Sequence, residues 1–72
     1  MEFSIGDKVV LKHPMKYLKT AENMPMLRPP DLVSTGEFGE IVGLRSNDLL
    51  AVRFRRGTFL IPKEKIEKQL LE

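Results

Sequence analysis

Three closely spaced arginines, Arg53, Arg55 and Arg56, are the residues best suited to a chemical task in this chain. Guanidinium groups bind carboxylates and phosphates through paired, charge-assisted hydrogen bonds. The cluster therefore predicts a face that binds an acidic protein surface or a phosphate, or else a strand face and turn that are only solvated. Nucleic acid is a further alternative, but it favours aromatic side chains between the basic ones, and Phe54 is expected to face the core.

The remaining polar residues predict no catalytic or metal site. His13, the one histidine, precedes a proline, and no cysteine or carboxylate cluster lies near it at the spacing of metal ligands. Glu37 and Glu40 bracket a glycine turn and are expected to solvate it. The glycines lack the Gly-Lys-Ser/Thr ending of a phosphate-binding loop. We predict that the protein is not an enzyme and uses no metal and no cofactor.

Composition predicts one small soluble domain. The chain has 72 residues, twelve basic and ten acidic side chains, a net charge of +2 and no cysteine. Because basic and acidic residues are nearly equal in number, the charge does not indicate nucleic acid or an anionic membrane as a partner. No apolar run reaches the roughly 18 residues that span a bilayer. The sequence thus predicts a cytoplasmic monomer without membrane insertion or specific nucleic-acid binding, with a single domain over residues 1–72.

Short apolar runs separated by turn residues predict an all-β fold. Within Ile5–Lys12, a turn is expected at Gly6–Asp7, followed by a strand that carries Val9 and Leu11. Further strands are expected over Gly36–Leu44, Leu49–Phe54 and Thr58–Pro62, with a turn at residues 46–48 and another at Arg56–Gly57. The tail KEKIEKQLLE fits either a helix or a tight turn and a short strand over residues 66–68, and we favour the strand. About five strands with one long first loop over residues 12–35 predict a small SH3-like barrel.

Alternation along these strands also predicts the core. On β-strands, successive side chains point to opposite faces, so Leu50, Val52 and Phe54 are expected to point inward and Ala51, Arg53 and Arg55 outward. The full predicted core is Val9, Leu11, Ile41, Leu50, Val52, Phe54, Phe59, Ile61 and Ile66.

The long first loop is the least ordinary part of the sequence. The stretch HPMKYLKTAENMPMLRPP, residues 13–30, holds four of the five prolines, three of the four methionines and the only tyrosine. Loops of this length are uncommon in compact domains and are usually functional or disordered, and bulky apolar residues argue against disorder. We expect the loop to fold onto the barrel and to present part of itself to a partner. Tyr17–Glu22 has the length of a single helical turn, which is too short to be stable on its own.

The motifs of the chain resemble those of a known family. In order, IGDKVVL, YLKTAENMPMLRPPDLV, GEFGEIV, AVRFRRGTFLI and IPKEKIE resemble the SipA family of small cyanobacterial proteins, and YLKTAENMPMLRPP is the most specific of them. The resemblance implies a non-catalytic SH3-like barrel that binds the ATP-binding domain of the sensor histidine kinase NblS and promotes its autophosphorylation, in a pathway of light and nutrient stress. Relatives of this family also occur in plastids, but this sequence shows no Ser- and Arg-rich transit segment.

The resemblance and the composition of the loop together predict an adaptor protein of two-component signalling. The residues expected to bind the kinase are Tyr17, Leu18, Lys19, Met24, Met26, Leu27, Arg28, Arg53, Arg55 and Arg56. For each apolar residue in this set, the alternative is that it anchors the loop to the barrel. Two other functions stay open: a nucleic-acid-binding module of the KOW type, and a small subunit of a photosynthetic electron-transfer complex.

Overall fold

The computed structural model describes residues 2–69, which form one sheet of seven antiparallel strands. The strands are β1 (Lys8–Leu11), β2 (Leu18–Thr20), β3 (Leu27–Arg28), β4 (Phe38–Leu44), β5 (Leu49–Phe54), β6 (Gly57–Pro62) and β7 (Ile66–Lys68), and single 3-10 turns cover Pro30–Leu32 and Lys63–Lys65. Across the sheet the order is β3-β2-β6-β5-β4-β1-β7. The predicted all-β fold class is confirmed.

Five of the seven strands are those that the alternating pattern predicts. β4, β5 and β6 form two consecutive hairpins, β1 pairs with β4, and β7 lies beside β1. As predicted, a turn precedes β1; in it, Asp7 N–H donates to the Ser4 carbonyl at 3.0 Å. In the tail, one 3-10 turn leads into β7 at Ile66–Lys68, as favoured above. Residues 70–72 lie outside the described part of the chain.

Two tight turns join the three central strands, one between β4 and β5 and one between β5 and β6. Ser46–Leu49 is a type I′ turn: Leu49 N–H donates to the Ser46 carbonyl at 3.3 Å, and Asn47 and Asp48 have φ of 61° and 60°. Asn and Asp visit this left-handed region more readily than other non-glycine residues. The second turn is Arg55–Arg56, one residue earlier than predicted, because Phe54 pairs with Gly57.

The predicted long loop contains two strands of its own. β2 pairs with β6, with Lys19 opposite Leu60, and β3 pairs with β2 on its other side. The helical turn considered over Tyr17–Glu22 is wrong, because Leu18 and Thr20 are buried and Lys19 between them is exposed, which is the period of a strand. Pairing with β6 also satisfies backbone groups that the loop would otherwise have to pair elsewhere.

All nine residues predicted for the core are buried. Leu18 and Val33, from the predicted loop, join them at 0% and 4% exposure. Ala51 is also buried, although the alternation predicted that it faces outward. The explanation lies in Gly43, which pairs with Ala51 across the β4–β5 ladder. A Cβ built on Gly43 would be 3.3 Å from Ala51 Cβ and only 2.6 Å from Arg45 Nη1, so the Arg45 side chain passes close to both residues. The Arg45 guanidinium therefore lies over this part of the outer face.

Leu18→Ala should lower the free energy of unfolding by about 2–5 kcal/mol, because it leaves a cavity where β2 meets the core. Leu27→Ala is the matched control. Leu27 lies on the neighbouring strand and is 63% exposed, so its truncation should change stability by no more than about 0.5 kcal/mol. Urea unfolding followed by circular dichroism measures both variants, and equal losses would contradict the placement of β2.

Candidate docking surface

The hairpin of β2 and β3 divides the predicted apolar contact residues between core and surface. Tyr17, Met24, Met26 and Leu27 are exposed over 53%, 82%, 49% and 63% of their area. Leu18 is fully buried, so it anchors the loop to the barrel, which was the alternative given for each apolar residue. The four exposed side chains are accessible to a partner, and their role in binding one stays a prediction.

Thr20 holds this hairpin together from its buried side. The Thr20 hydroxyl accepts a hydrogen bond from Met26 N–H at 2.8 Å, and Thr20 N–H donates to the Met26 carbonyl at 2.9 Å. Outside the barrel, Arg28 Nη2 lies 3.9 Å from Met26 Sδ. Because Thr20 is only 7% exposed, these bonds fix the backbone at Met26, and little order has to be created when a partner binds there.

The three predicted arginines occupy different surroundings. Arg55 and Arg56, called the arginine turn below, are both exposed and line a depression of about 510 Å³ together with Leu32 and Phe38. Among the described residues neither of the two forms an ion pair. Phe54 just before the turn is 5% exposed and so cannot stack on a nucleic-acid base.

Arg53 belongs to a row of charges across three strands. The strand register places Lys8 on β1 and Arg53 on β5 directly opposite Glu40 on β4. Lys8 Nζ lies 3.3 Å and Arg53 Nη2 3.0 Å from the same oxygen, Glu40 Oε1. The hydrogen bond and charge of Lys8, followed by those of Arg53, hold the pKa of Glu40 below its usual range, although partial burial works in the opposite direction. Arg53 is therefore partly neutralised, unlike the arginine turn.

The structure places Tyr17 and the arginine turn at opposite ends of β6. Tyr17 borders a groove that reaches Pro62, the last residue of β6, whereas the arginine turn directly precedes Gly57, the first. At about 3.3 Å per residue, the two ends are about 17 Å apart. Tyr17 and the arginine turn, predicted as parts of one contact face, thus border two separate depressions.

The groove beside Tyr17, called the Tyr17 groove below, has a volume of about 350 Å³. Its lining is Pro14, Met15, Lys16, Tyr17, Lys19, Leu49, Leu60, Pro62 and Lys65. It lies on the outer face of the sheet, where Lys19 pairs with Leu60 and Leu49 pairs with Pro62. Its apolar residues lie next to the ammonium groups of three lysines. Such a lining suits a ligand in which apolar side chains are followed or preceded by carboxylates.

Sequence reasoning missed a set of exposed apolar residues on β4 and before β1. Phe38, Leu44 and Ile5 are exposed over 60%, 52% and 65% of their area. The alternation that identified Ile41 as buried also marks Phe38 as an outward-facing position, so for Phe38 the signal was present. Leu44 follows a shift in register between Ile41 and Gly43 and lies opposite Leu50, so simple alternation does not predict its exposure. Attention to the loop alone left these residues out of the predicted contact set.

Glu37, one of the polar residues considered for chemistry, has a structural partner: its Oε1 accepts a hydrogen bond from Ser34 N–H at 3.0 Å. The backbone N–H of His13 donates to the Lys65 carbonyl at 3.2 Å, and the His13 residue is exposed. In residues 2–69, no group of three or more His, Cys, Asp or Glu side chains is placed to hold a metal ion. Over the same residues, no helix has the length and apolar character needed to cross a membrane.

Glu40→Gln should destabilise the protein at neutral pH, and the effect should vanish in acid. Because the folded-state pKa of Glu40 is lowered, its charge contributes stability above the ordinary glutamate range, and this contribution is lost as the pH falls through the lowered pKa. Urea midpoints of wild type and variant should therefore converge as the pH falls, and added salt should reduce their difference at neutral pH.

Glu64→Gln removes the same charge from an exposed residue outside the ion pairs named above and serves as the control. A difference between wild type and Glu40→Gln that does not change with pH, or that grows in acid, would contradict the role assigned to the Lys8–Glu40–Arg53 row.

Comparison with known proteins identifies the family of this chain. The model of the family described as Protein CHLORORESPIRATORY REDUCTION 42-like matches residues 5–66. Protein CHLORORESPIRATORY REDUCTION 42, chloroplastic, from Arabidopsis thaliana is 38% identical over 61 residues, which cover 83% of this chain and 50% of the relative. The chain thus spans half the length of this relative. No solved structure matches it.

These matches correct several predictions made from the sequence. Assignment to the SipA family is wrong, and with it the histidine kinase partner and the role in two-component and stress signalling. The predicted cytoplasmic location is also wrong, since the relative is chloroplastic. The motifs that suggested SipA span residues 5–67, nearly the range of the family match. On this match, the chain belongs to the CHLORORESPIRATORY REDUCTION 42-like family.

Proposed function

We propose that this chain is a small, non-catalytic subunit of a photosynthetic electron-transfer complex and acts in a chloroplast. The observation that carries the proposal is its 38% identity, over 61 residues, to a chloroplastic protein named for chlororespiratory reduction. Of the two alternatives that the sequence left open, this relative favours the electron-transfer subunit over the nucleic-acid-binding module.

The matched range limits what the proposal takes from the relative. Residues 5–66 contain β1 to β6 and the first residue of β7, so the shared part is the barrel itself. The other half of the relative lies outside the matched part of this chain. The proposed role is therefore one that a barrel can perform through its surface, namely docking into an assembly and stabilising it.

The surface of the barrel supports a docking role. Phe38, Met24 and Ile5 are large apolar residues that stand mostly in solvent, at 60%, 82% and 65% exposure. Aromatic, Met and Arg side chains are enriched in protein interfaces, where an apolar centre is surrounded by a polar rim. Near Phe38, Arg55 and Arg56 provide such polar neighbours. A subunit of this kind stabilises an assembly because it binds the assembled form and not its separate parts.

Deleting the gene for this chain in its photosynthetic host should slow the reduction of the quinone pool in darkness, because the complex that lacks a structural subunit is less stable and less abundant. Chlorophyll fluorescence after a light-to-dark transition measures this electron flow. Re-expression of the wild-type chain should restore it, which controls for effects of the deletion on neighbouring genes.

A tagged wild-type chain should also co-migrate with a membrane complex of high mass in native gels. Normal dark electron flow in the deletion strain, together with migration of the tagged chain as a free monomer, would overturn the proposed function.

A further inference from the structure

We infer that the Tyr17 groove binds an acidic peptide segment of a protein partner, with apolar side chains of that segment seated beside its Asp or Glu residues. The inference deepens the proposed function and rests on it only for the view that the partner is a protein. It is carried by the shape of the groove, by the chemistry of its lining and by the charges around it.

Six of the nine residues that line the groove are apolar or aromatic. Leu60 of β6 is one of them, and Leu49 and Pro62 are two more, which pair with each other at the end of the β5–β6 ladder. Met15 and Tyr17 approach from the segment before β2. A volume of about 350 Å³ is at the lower end of the range for ligand sites. Tyr17 is 53% exposed, so the groove is open on one side and suits a segment that lies across it rather than a small molecule enclosed by it.

The charged residues that line the groove are all positive. Lys16, Lys19 and Lys65 belong to its lining, which includes no acidic side chain. The ion pairs formed within residues 2–69 involve Lys8, Arg53, Lys63 and Lys68, so the three lysines of the groove are unpaired in the described structure. Positive charges without partners beside an apolar surface favour a ligand that brings carboxylates, and they exclude basic partners by repulsion.

The composition of the groove favours peptide over nucleic acid. Single-stranded nucleic acid is bound on several aromatic rings along a basic track, because each base stacks on a ring. Tyr17 is the only aromatic residue of the lining. Leu49, Leu60 and Pro62 provide aliphatic contacts instead, and these match the side chains of Leu, Ile, Val or Pro in a peptide.

The strand geometry that directs Leu18 and Thr20 into the core also fixes the side chains of the groove before a partner binds. Leu18 and Thr20 point inward and are buried, so Lys19 between them must point outward toward the groove. Tyr17, one position before Leu18, is held to the outer face in the same way. A binding site whose backbone is fixed before the partner arrives loses less conformational entropy on binding.

The test starts from a displayed library of random short peptides, selected on the wild-type chain, followed by synthesis of the enriched peptides and measurement of their affinity by fluorescence anisotropy. We expect enriched sequences to combine Asp or Glu with aliphatic residues. Tyr17→Ala should weaken their binding by roughly thirtyfold, as expected for a central anchor. Lys16→Glu combined with Lys19→Glu should weaken it by about tenfold or more at low salt.

Arg55→Glu combined with Arg56→Glu is the matched control. Both pairs of residues are exposed and undergo the same change of charge, but the arginine turn lies at the other end of β6. This control should bind the peptides as wild type does, and thermal melts should show that it and the double-lysine variant stay folded. If Tyr17→Ala unfolds the protein, the double-lysine variant still decides the question.

The inference is overturned if no peptide is enriched, if the enriched peptides lack acidic residues, or if the control loses binding while the double-lysine variant keeps it. In the photosynthetic host, the double-lysine variant should fail to co-migrate with the complex. If that variant co-migrates normally, the groove is not the docking site and the proposed function stands. If wild type binds acidic peptides but joins no complex, the proposed function fails and the groove stands.

Discussion

The pairing of β2 with β6 is the interaction on which the functional surface of this barrel depends. Without this pairing, residues 12–35 would form a long, flexible loop between β1 and β4. With it, Leu18 and Thr20 enter the core, and the Thr20 hydroxyl fixes the return strand through Met26 N–H at 2.8 Å. The entropy lost by ordering so long a loop is considerable, and the burial of Leu18 together with the new backbone hydrogen bonds offsets it.

The short strands β2 and β6 each supply both core and surface. Inward positions of β2 and β6 hold Leu18, Thr20, Phe59 and Ile61, whereas outward positions hold Lys19 and Leu60 of the groove. Core and groove are therefore attached to the same backbone but occupy opposite faces of it. Substitutions at the exposed Lys16 and Lys19 should therefore change the stability of the fold little.

The sequence was sufficient to predict the barrel because the strands around its core are long enough to show their period. In β5, Leu50, Val52 and Phe54 follow the period of two, with Ala51 as the exception, and Asn47 and Asp48 mark the turn before the strand. β2 has three residues and β3 has two, too few for alternation to be recognised among the prolines and methionines around them. The sequence predicted a glycine turn between Glu37 and Glu40, but Gly39 lies within β4. In the structure it allows close packing, since a Cβ there would lie 2.8 Å from Val52 Cγ1 and from Phe54 Cε1.

The contact surface was less predictable than the core because exposure alone does not specify a partner. Tyr17 and Lys19 were identified from loop composition, but the residues that complete their groove, Leu60 and Pro62, come from a strand more than forty positions later and are brought there only by the β2–β6 register. The family resemblance failed for a related reason. Glycine turns and alternating strands predict the fold but not the side chains on its outer surface. A sequence pattern that identifies the fold correctly can therefore still suggest the wrong partner.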